Sequence, residues 1–289
     1  MPGRRKLFLV CLSFWMAGCL VPNESSSLFE TGRSLGTNKN HKLEEPSGLV
    51  ASISNSGFLW TLNDGGNPAE LFLLDTMAQT KKVFTLANIK NRDWEDITQG
   101  PCSDQNTPCI FIGDIGDNFS QYPLKYVYSF KEPSLKDSER IEVFDTLIIK
   151  LSDGVRDTET LMVDPVSHNL YLVSKREKEV MLYEVASPFL ADTLIAKKVL
   201  TLPLHEIVAG NISPDGKEVL LKNYRKIYYW KKNGNESLVE LLKTPPIHLA
   251  YDPELQGEAI AWARDGSGYY TLSENAKGER AKLYFYKRK

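Results

Sequence analysis

The sequence predicts an all-β fold built from one repeated four-stranded unit, and three observations carry that expectation. Short apolar segments alternate with turn-forming residues along the chain, and long amphipathic helical patterns are absent. A similar strand start recurs as EPSGL (45–49), DWEDI (93–97), DTETL (157–161), VAGNI (208–212) and QGEAI (256–260), at spacings of 48 to 64 residues. Behind the third start, four strands can be read in succession: TLMVDPVS, NLYLVSKRE, VMLYEVAS and KKVLTLP. Four strands per repeat describe the blade of a β-propeller.

Taken in order, the chain begins with Arg4, Arg5 and Lys6 ahead of an apolar run from Leu7 to Ala17, the pattern of a secretion signal too short to span a bilayer as a mature helix. Its end, Met16-Ala17-Gly18-Cys19, resembles the lipobox of bacterial lipoproteins. That predicts a signal over 1–18, acylation of Cys19, and a polar tether over 19–26. A cleaved signal with Cys19 as an incidental thiol is the alternative. Leu20 lacks the acidic retention signal of some inner-membrane lipoproteins, which directs the expectation to the outer membrane.

Residues 27–289 then form one propeller domain, with a near-neutral charge of −2 for the whole chain. No basic stripe interleaved with aromatics occurs, so nucleic acid is not an expected partner, and the body is expected to be a monomer. The second unit reads DITQG, CIFIGDI, KYVYSFKE and DTLIIKLS. Its extra length lies in EPSLKDSER and in PCSDQNTPC, where Cys102 and Cys109 are expected to pair in an exported chain, two free thiols being the alternative. The fifth unit runs out after three strands, and residues from about 27 to 43 are expected to supply the missing outer strand. Five blades follow, with six as the alternative.

In a propeller the first strand of each blade descends along the central channel from one face. The position two before the aligned apolar residue reads Ser47, Glu95, Glu159, Gly210 and Glu258, which predicts a ring of carboxylates near one axis. At an effective dielectric near 20, each like-charged pair at ~4 Å costs ~4 kcal/mol. Either some of them protonate or a cation sits among them. Oxygen ligands without His or Cys favour a hard ion, and Ca²⁺ fits an irregular ring better than octahedral Mg²⁺, so Ser47, Glu95, Glu159 and Glu258 are the expected metal ligands. Capping of backbone amides between blades is the structural alternative.

The series SGL, LWTLNDGGN, DWEDI, IFIGDIGDN, TETLMVDP, LYLVSKR, ISPDG and QGEAI resembles a family of exported bacterial propeller proteins over nearly all of the chain after residue 45. A ring of Ser and Glu contributed one per blade is also distantly similar to the five-bladed calcium-activated nucleotidases, a resemblance that implies a central Ca²⁺. Gly210 stands where that pattern has serine.

Turns between second and third strands supply a second ring: Asn63, Asp64 and Asn67; Asp114, Asp117 and Asn118; Lys175 and Arg176; Lys222 and Arg225; Glu274 and Asn275. Acidic and basic sides facing each other suit a metal-bridged anion, with Arg and Lys on its oxygens and Asp114 or Asp64 as general base. Asn, Asp and Gly are equally ordinary turn chemistry. None of His41, His168, His205 and His248 lies beside a candidate nucleophile, and the G-x-S-x-G elbow and phosphate-binding P-loop are missing. The expected function is therefore a Ca²⁺-dependent site for a small phosphate-bearing anion, as a phosphohydrolase if enzymatic. A non-enzymatic module binding an envelope partner is the competing class, and a lactonase-type propeller is less favoured for lack of an Asn-rich ring.

Overall fold

A computed structural model describes residues 28–142 and 144–289. The expectations for the signal, Cys19 and the tether lie outside the described residues. Strand β1 (Arg33–Thr37) precedes a first meander of β2 (Pro46–Ala51), β3 (Phe58–Asn63), β4 (Glu70–Asp75) and β5 (Thr80–Leu86). The second comprises β6 (Trp94–Pro101), β7 (Pro108–Asp114), β8 (Lys125–Lys131) and β10 (Asp145–Leu151), with the two-residue β9 (Arg140–Ile141) running parallel to β5. β11 (Thr158–Val163), β12 (Leu170–Ser174), β13 (Met181–Val185) and β14 (Leu194–Thr201) form the third. β15 (Ile207–Ile212), β16 (Glu218–Asn223), β17 (Ile227–Lys231) and β18 (Ile247–Leu249) form the fourth, with the short helix α1 (Leu238–Leu242) before β18. β19 (Gly257–Trp262), β20 (Gly268–Ser273) and β21 (Lys282–Lys287) are completed by β1, which pairs antiparallel with β21.

The first strands are neighbours in a closed cycle, β2 to β6, β11, β15, β19 and back to β2. Each is buried along its whole length except the lower end of β6, because it is flanked by two other blades, whereas outer strands such as β14 alternate buried and exposed residues. The apolar cores lie between consecutive sheets. Trp60, Leu62, Leu73 and Phe84 of the first pack on Trp94, Ile97 and Ile112 of the second, and Phe72, Leu49 and Leu59 meet Ala259, Leu272 and Leu283 of the last. At the rim, β10 pairs with β8 on one side and parallel with β14 of the next meander on the other.

The register differs from the sequence expectation in one respect that matters for the channel. Each inner strand opens with a β-bulge, and the extra residue is Gly48, Glu95, Glu159, Val208 or Glu258. A bulge leaves one residue unpaired and re-aims its side chain. The structural ring therefore contains Gly48 in place of Ser47 and Val208 in place of Gly210. Gly210 faces the packed interior, where a Cβ would lie 2.6 Å from Leu221 and 2.8 Å from Thr160. Gly48 has φ 72°, and a Cβ there would lie 2.7 Å from the Ile97 amide, so the turn needs glycine twice over.

Cys102 and Cys109 form a disulfide with Cα atoms 5.0 Å apart, as expected, at the face opposite the bulges. Among the described residues no helix is long and apolar enough to cross a membrane.

Candidate metal centre at the channel mouth

The bulges bring three of the ring positions to one end of the channel as glutamates, and the neighbouring turns add four more carboxylates. Asp64 comes from the β3–β4 turn, Asp93 from the approach to β6, Asp157 from the approach to β11, and Glu274 from the end of β20. Ligand oxygens of Asp64, Asp93 and Glu95 lie within 4.8 Å of one another, as do those of Asp64, Glu258 and Glu274, and those of Glu95, Asp157 and Glu159. Asp64 is shared by the first two triads and Glu95 by the first and third.

Two members of the third triad, Glu159 and Asp157, have cation partners. Lys175 Nζ sits 2.8 Å from Glu159 Oε1, and Arg176 Nε sits 2.6 Å from Asp157 Oδ2 while its other end reaches Asn118. By contrast, no ion pair among the described residues involves Asp64, Asp93, Glu95, Glu258 or Glu274. Their hydrogen-bond partners are neutral: Gly65 N–H donates to Asp64, and the Tyr224 hydroxyl donates to Glu258. Lys175 lies over the Tyr224 ring at 5.5 Å, which places that tyrosine between the paired and unpaired acids.

Four of these carboxylates, Asp64, Asp93, Glu95 and Glu274, hold on to protons. Burial, with Gly65 opposing and Glu258 and Asp93 adding repulsion, pushes Asp64 up from 3.8 to about 7. Burial and then Asp157 and Asp114 raise Asp93; burial and then Glu159, Asp64 and Asp93 raise Glu95 well above the usual range. Glu274 is raised by burial and by Glu258, with which it shares a hydrogen bond. A cation at this point would replace the protons. The donor set is oxygen alone, and the cluster is adaptable, drawing on turns as well as strands, so these residues fit a hard cation.

The packing reserves space for the carboxylates. Gly116, in the turn after β7, passes so close that a Cβ would clash with Glu95 Oε1 and lie 2.6 Å from Asp93 Cγ. Asn91 fixes the same corner by donating to the Asp64 carbonyl at 2.7 Å and accepting from Trp94 N–H at 2.9 Å.

Other residues that the sequence nominates have different employment. The Ser47 hydroxyl donates to the Glu95 carbonyl and so ties two inner strands together without facing the channel. Asp114 lies 3.1 Å from Arg92 and accepts from the Tyr128 hydroxyl at 3.2 Å, outside the three triads. Asp117 accepts the amides of Gln121 and Tyr122 and lies 3.4 Å from Lys125, and its own amide donates to Asp157. Asn63 accepts from the amides of Glu44 and Glu45 and donates to the Lys42 carbonyl. Lys222 is fully buried, donates to the Gly257 carbonyl and lies 4.7 Å from the Tyr251 ring, where burial lowers its pKa to about 8. Arg225 is exposed on a turn whose Asn223 side chain accepts its amide. Of the expected basic grip, Lys175, Arg176 and Lys222 are thus spent on Glu159, Asp157 and a backbone carbonyl, and Arg225 stands exposed. Asp93, Asp157 and Tyr224 are the residues that sequence reasoning left out of the site, while Glu274 is placed in its second ring.

Larger cavities, of about 320 and 610 Å³, open at the opposite face. They contain no comparable cluster of charged groups, so the chemistry points to the mouth.

No family model matches the chain, and no curated protein matches it in sequence. Among solved structures, the PQQ-bound aldose sugar dehydrogenase of Streptomyces coelicolor is similar with a TM-score of 0.54 and 11% identity, over 90% of this chain and 98% of that one. The fold is a β-propeller. A chain of the mitotic checkpoint complex overlaps at a TM-score of 0.40 and 13% identity, over 83% and 60% of the two chains, and carries no argument.

Proposed function

We propose that this protein is an exported, lipid-anchored β-propeller whose channel mouth binds Ca²⁺ through Asp64, Asp93, Glu95, Glu258 and Glu274. A small anionic, phosphate-bearing ligand would be held through the cation. The observation that carries the reading is the pair of carboxylate triads sharing Asp64, with no ion pair to either. Like charges so placed are stable at neutral pH only with protons or a cation between them. The bound Ca²⁺ would supply positive charge for a ligand oxygen. Tyr224 and Asn118, at the edge of the cluster, would orient what lies above it, and Lys175 and Arg176 would hold Glu159 and Asp157 in place beside it.

A second reading, a non-enzymatic binding module, is favoured by one observation: both cations near the cluster are already paired with carboxylates, which leaves them poorly placed to stabilise a transferring phosphoryl group. The chemistry of the structural neighbour is not carried over, since 11% identity supports the fold alone. The test is calorimetric titration of metal-free protein with Ca²⁺ and Mg²⁺, followed by a panel of phosphate esters with the cation present. Ca²⁺-selective binding lost in Asp64→Asn supports the site, and turnover then separates hydrolase from module. Absence of binding by any divalent cation would return the carboxylates to a purely structural role.

A further inference from the structure

We infer that the unpaired half of β10, at the rim between the second and third blades, takes up an extended peptide segment of another protein as an added strand, with an apolar centre and basic flanks. The two ladders of β10 differ in extent. It pairs with β8 from Asp145 onward, but with β14 only from Ile149. The Ser152 amide donates to the Ala196 carbonyl at 3.0 Å, which fixes the side each residue addresses: even-numbered residues of β10 direct amide and carbonyl toward β14, and odd-numbered ones toward β8. Before Ile149 there is no β14 to meet. The Thr146 N–H and C=O and the Ile148 N–H therefore face an edge without a strand, and among the described residues no loop takes them up.

Open edges invite pairing, and the other outer strands carry devices against it. β5 bears Lys81 and Lys82, β14 bears Lys197 and Lys198, β1 is interrupted by a bulge between Ser34 and Gly36, and β18 is three residues long. The unpaired half of β10 has no lysine, proline or bulge. It also faces a wall: across the cavity of about 610 Å³ on the far face, opposite the acidic mouth, stands the loop over 187–192. Phe111, Leu147, Val163 and Phe189 line that cavity, so an extended chain on the edge sinks alternate side chains among apolar groups while its backbone bonds to Thr146 and Ile148. Charge sets the flanks. Asp145 on the strand and Asp192 on the loop are exposed and have no ion-pair partner among the described residues, which suits lysine or arginine at the ends of the incoming segment. The site is independent of the cation cluster at the mouth.

The experiment titrates the full chain with acetylated, amidated pentapeptides that have lysine at both ends, threonine at the second and fourth positions, and leucine, phenylalanine, valine or alanine at the centre. Binding is read by calorimetry and by hydrogen exchange of single amides. The peptides with large apolar centres are expected to bind, the alanine peptide most weakly, and the Thr146 and Ile148 amides to become protected while those of Lys81 and Val83 are unchanged. Thr146→Pro removes an amide that the β8 ladder does not use, so the sheet survives and binding should weaken about fivefold. Asp192→Lys, on the exposed loop, should weaken it about threefold. Of two leucine peptides, one N-methylated at both threonines and one at the leucine and the last lysine, only one should lose binding, because a strand presents alternate amides to its partner. If Thr146→Pro fails to fold, the methylated pair and Asp192→Lys decide. Binding that neither methylation alters would show an apolar molecule filling the cavity without strand addition and would overturn the proposal, as would absence of binding by all four peptides at about 1 mM.

Discussion

At the scale of single residues, the mouth separates into carboxylates that have cations and carboxylates that lack them, and substitutions should respond differently on the two sides. Asp64→Asn removes the oxygen common to two triads. It should abolish the Ca²⁺-induced rise in melting temperature while leaving the metal-free protein at pH 7 as stable as before or more so, because a buried repulsive charge has gone. Glu159→Gln does the reverse: it strands Lys175, which should cost about 3 kcal/mol in urea unfolding, yet the cation shift persists. A Gly116→Ala chain should fold normally and bind Ca²⁺ at least about tenfold more weakly by calorimetry, ~1.4 kcal/mol, since its Cβ falls on Glu95. The pH dependence has a definite sign. Asp64 titrates at about 7 in the fold against 3.8 ordinarily, so the stability tied to its proton is fully present below 3.8 and is lost as pH rises through about 7. Metal-free protein should therefore melt higher at pH 5 than at pH 7.5, and the stabilisation by Ca²⁺ should grow over the same interval. A melt that rises monotonically with pH in EDTA would contradict the protonated cluster.

At the scale of strands and turns, what could be read in advance followed from repetition, and what could not followed from bulges and approach segments. The strand starts recur in the sequence, so Glu95, Glu159 and Glu258 are legible as equivalents. The position of a bulge is not marked by which residues are apolar, and so Gly48 is hidden one residue after Ser47 and Val208 two residues before Gly210. Asp93 and Asp157 precede their strands by one residue. They carry no alternation of their own, and only the folded chain shows the first of them turned toward Glu95 and the second toward Glu159. Asp64 is visible as an acidic turn residue, but its partnership with Glu258 and Glu274 joins the first blade to the last, a closure that no local pattern encodes. The disulfide was legible because its two cysteines flank one short turn-rich loop. By loop closure it should contribute about 2–3 kcal/mol. Since it sits on the far face, Cys102→Ser with Cys109→Ser should lower the melting temperature without altering the Ca²⁺ shift.

At the scale of the whole molecule, the ring is closed by two ends of one chain, β1 against β21, and Phe29 is the apolar plug beneath that closure. Phe29→Ala should cost about 3–5 kcal/mol in equilibrium unfolding, a loss out of proportion to a residue so near the start of the folded body. Ca²⁺ binding should raise stability by ~2.7 kcal/mol at a hundredfold excess over Kd, because the cluster draws carboxylates from the first, second and last blades and so ties the closure from the opposite end. The parallel pairing of β10 with β14 has a different consequence. Elsewhere the outermost strand of a blade is held less: β5 is paired only at its end by the two-residue β9, and the amides of the three-residue β18 should open to solvent one by one. Where β10 bridges its own sheet to the next, its amides can exchange with deuterium only if two blades part together. The rim there should show slow, concerted exchange resembling that of the buried inner strands, and the second and third blades should behave as one cooperative block in a propeller whose other blades can loosen singly.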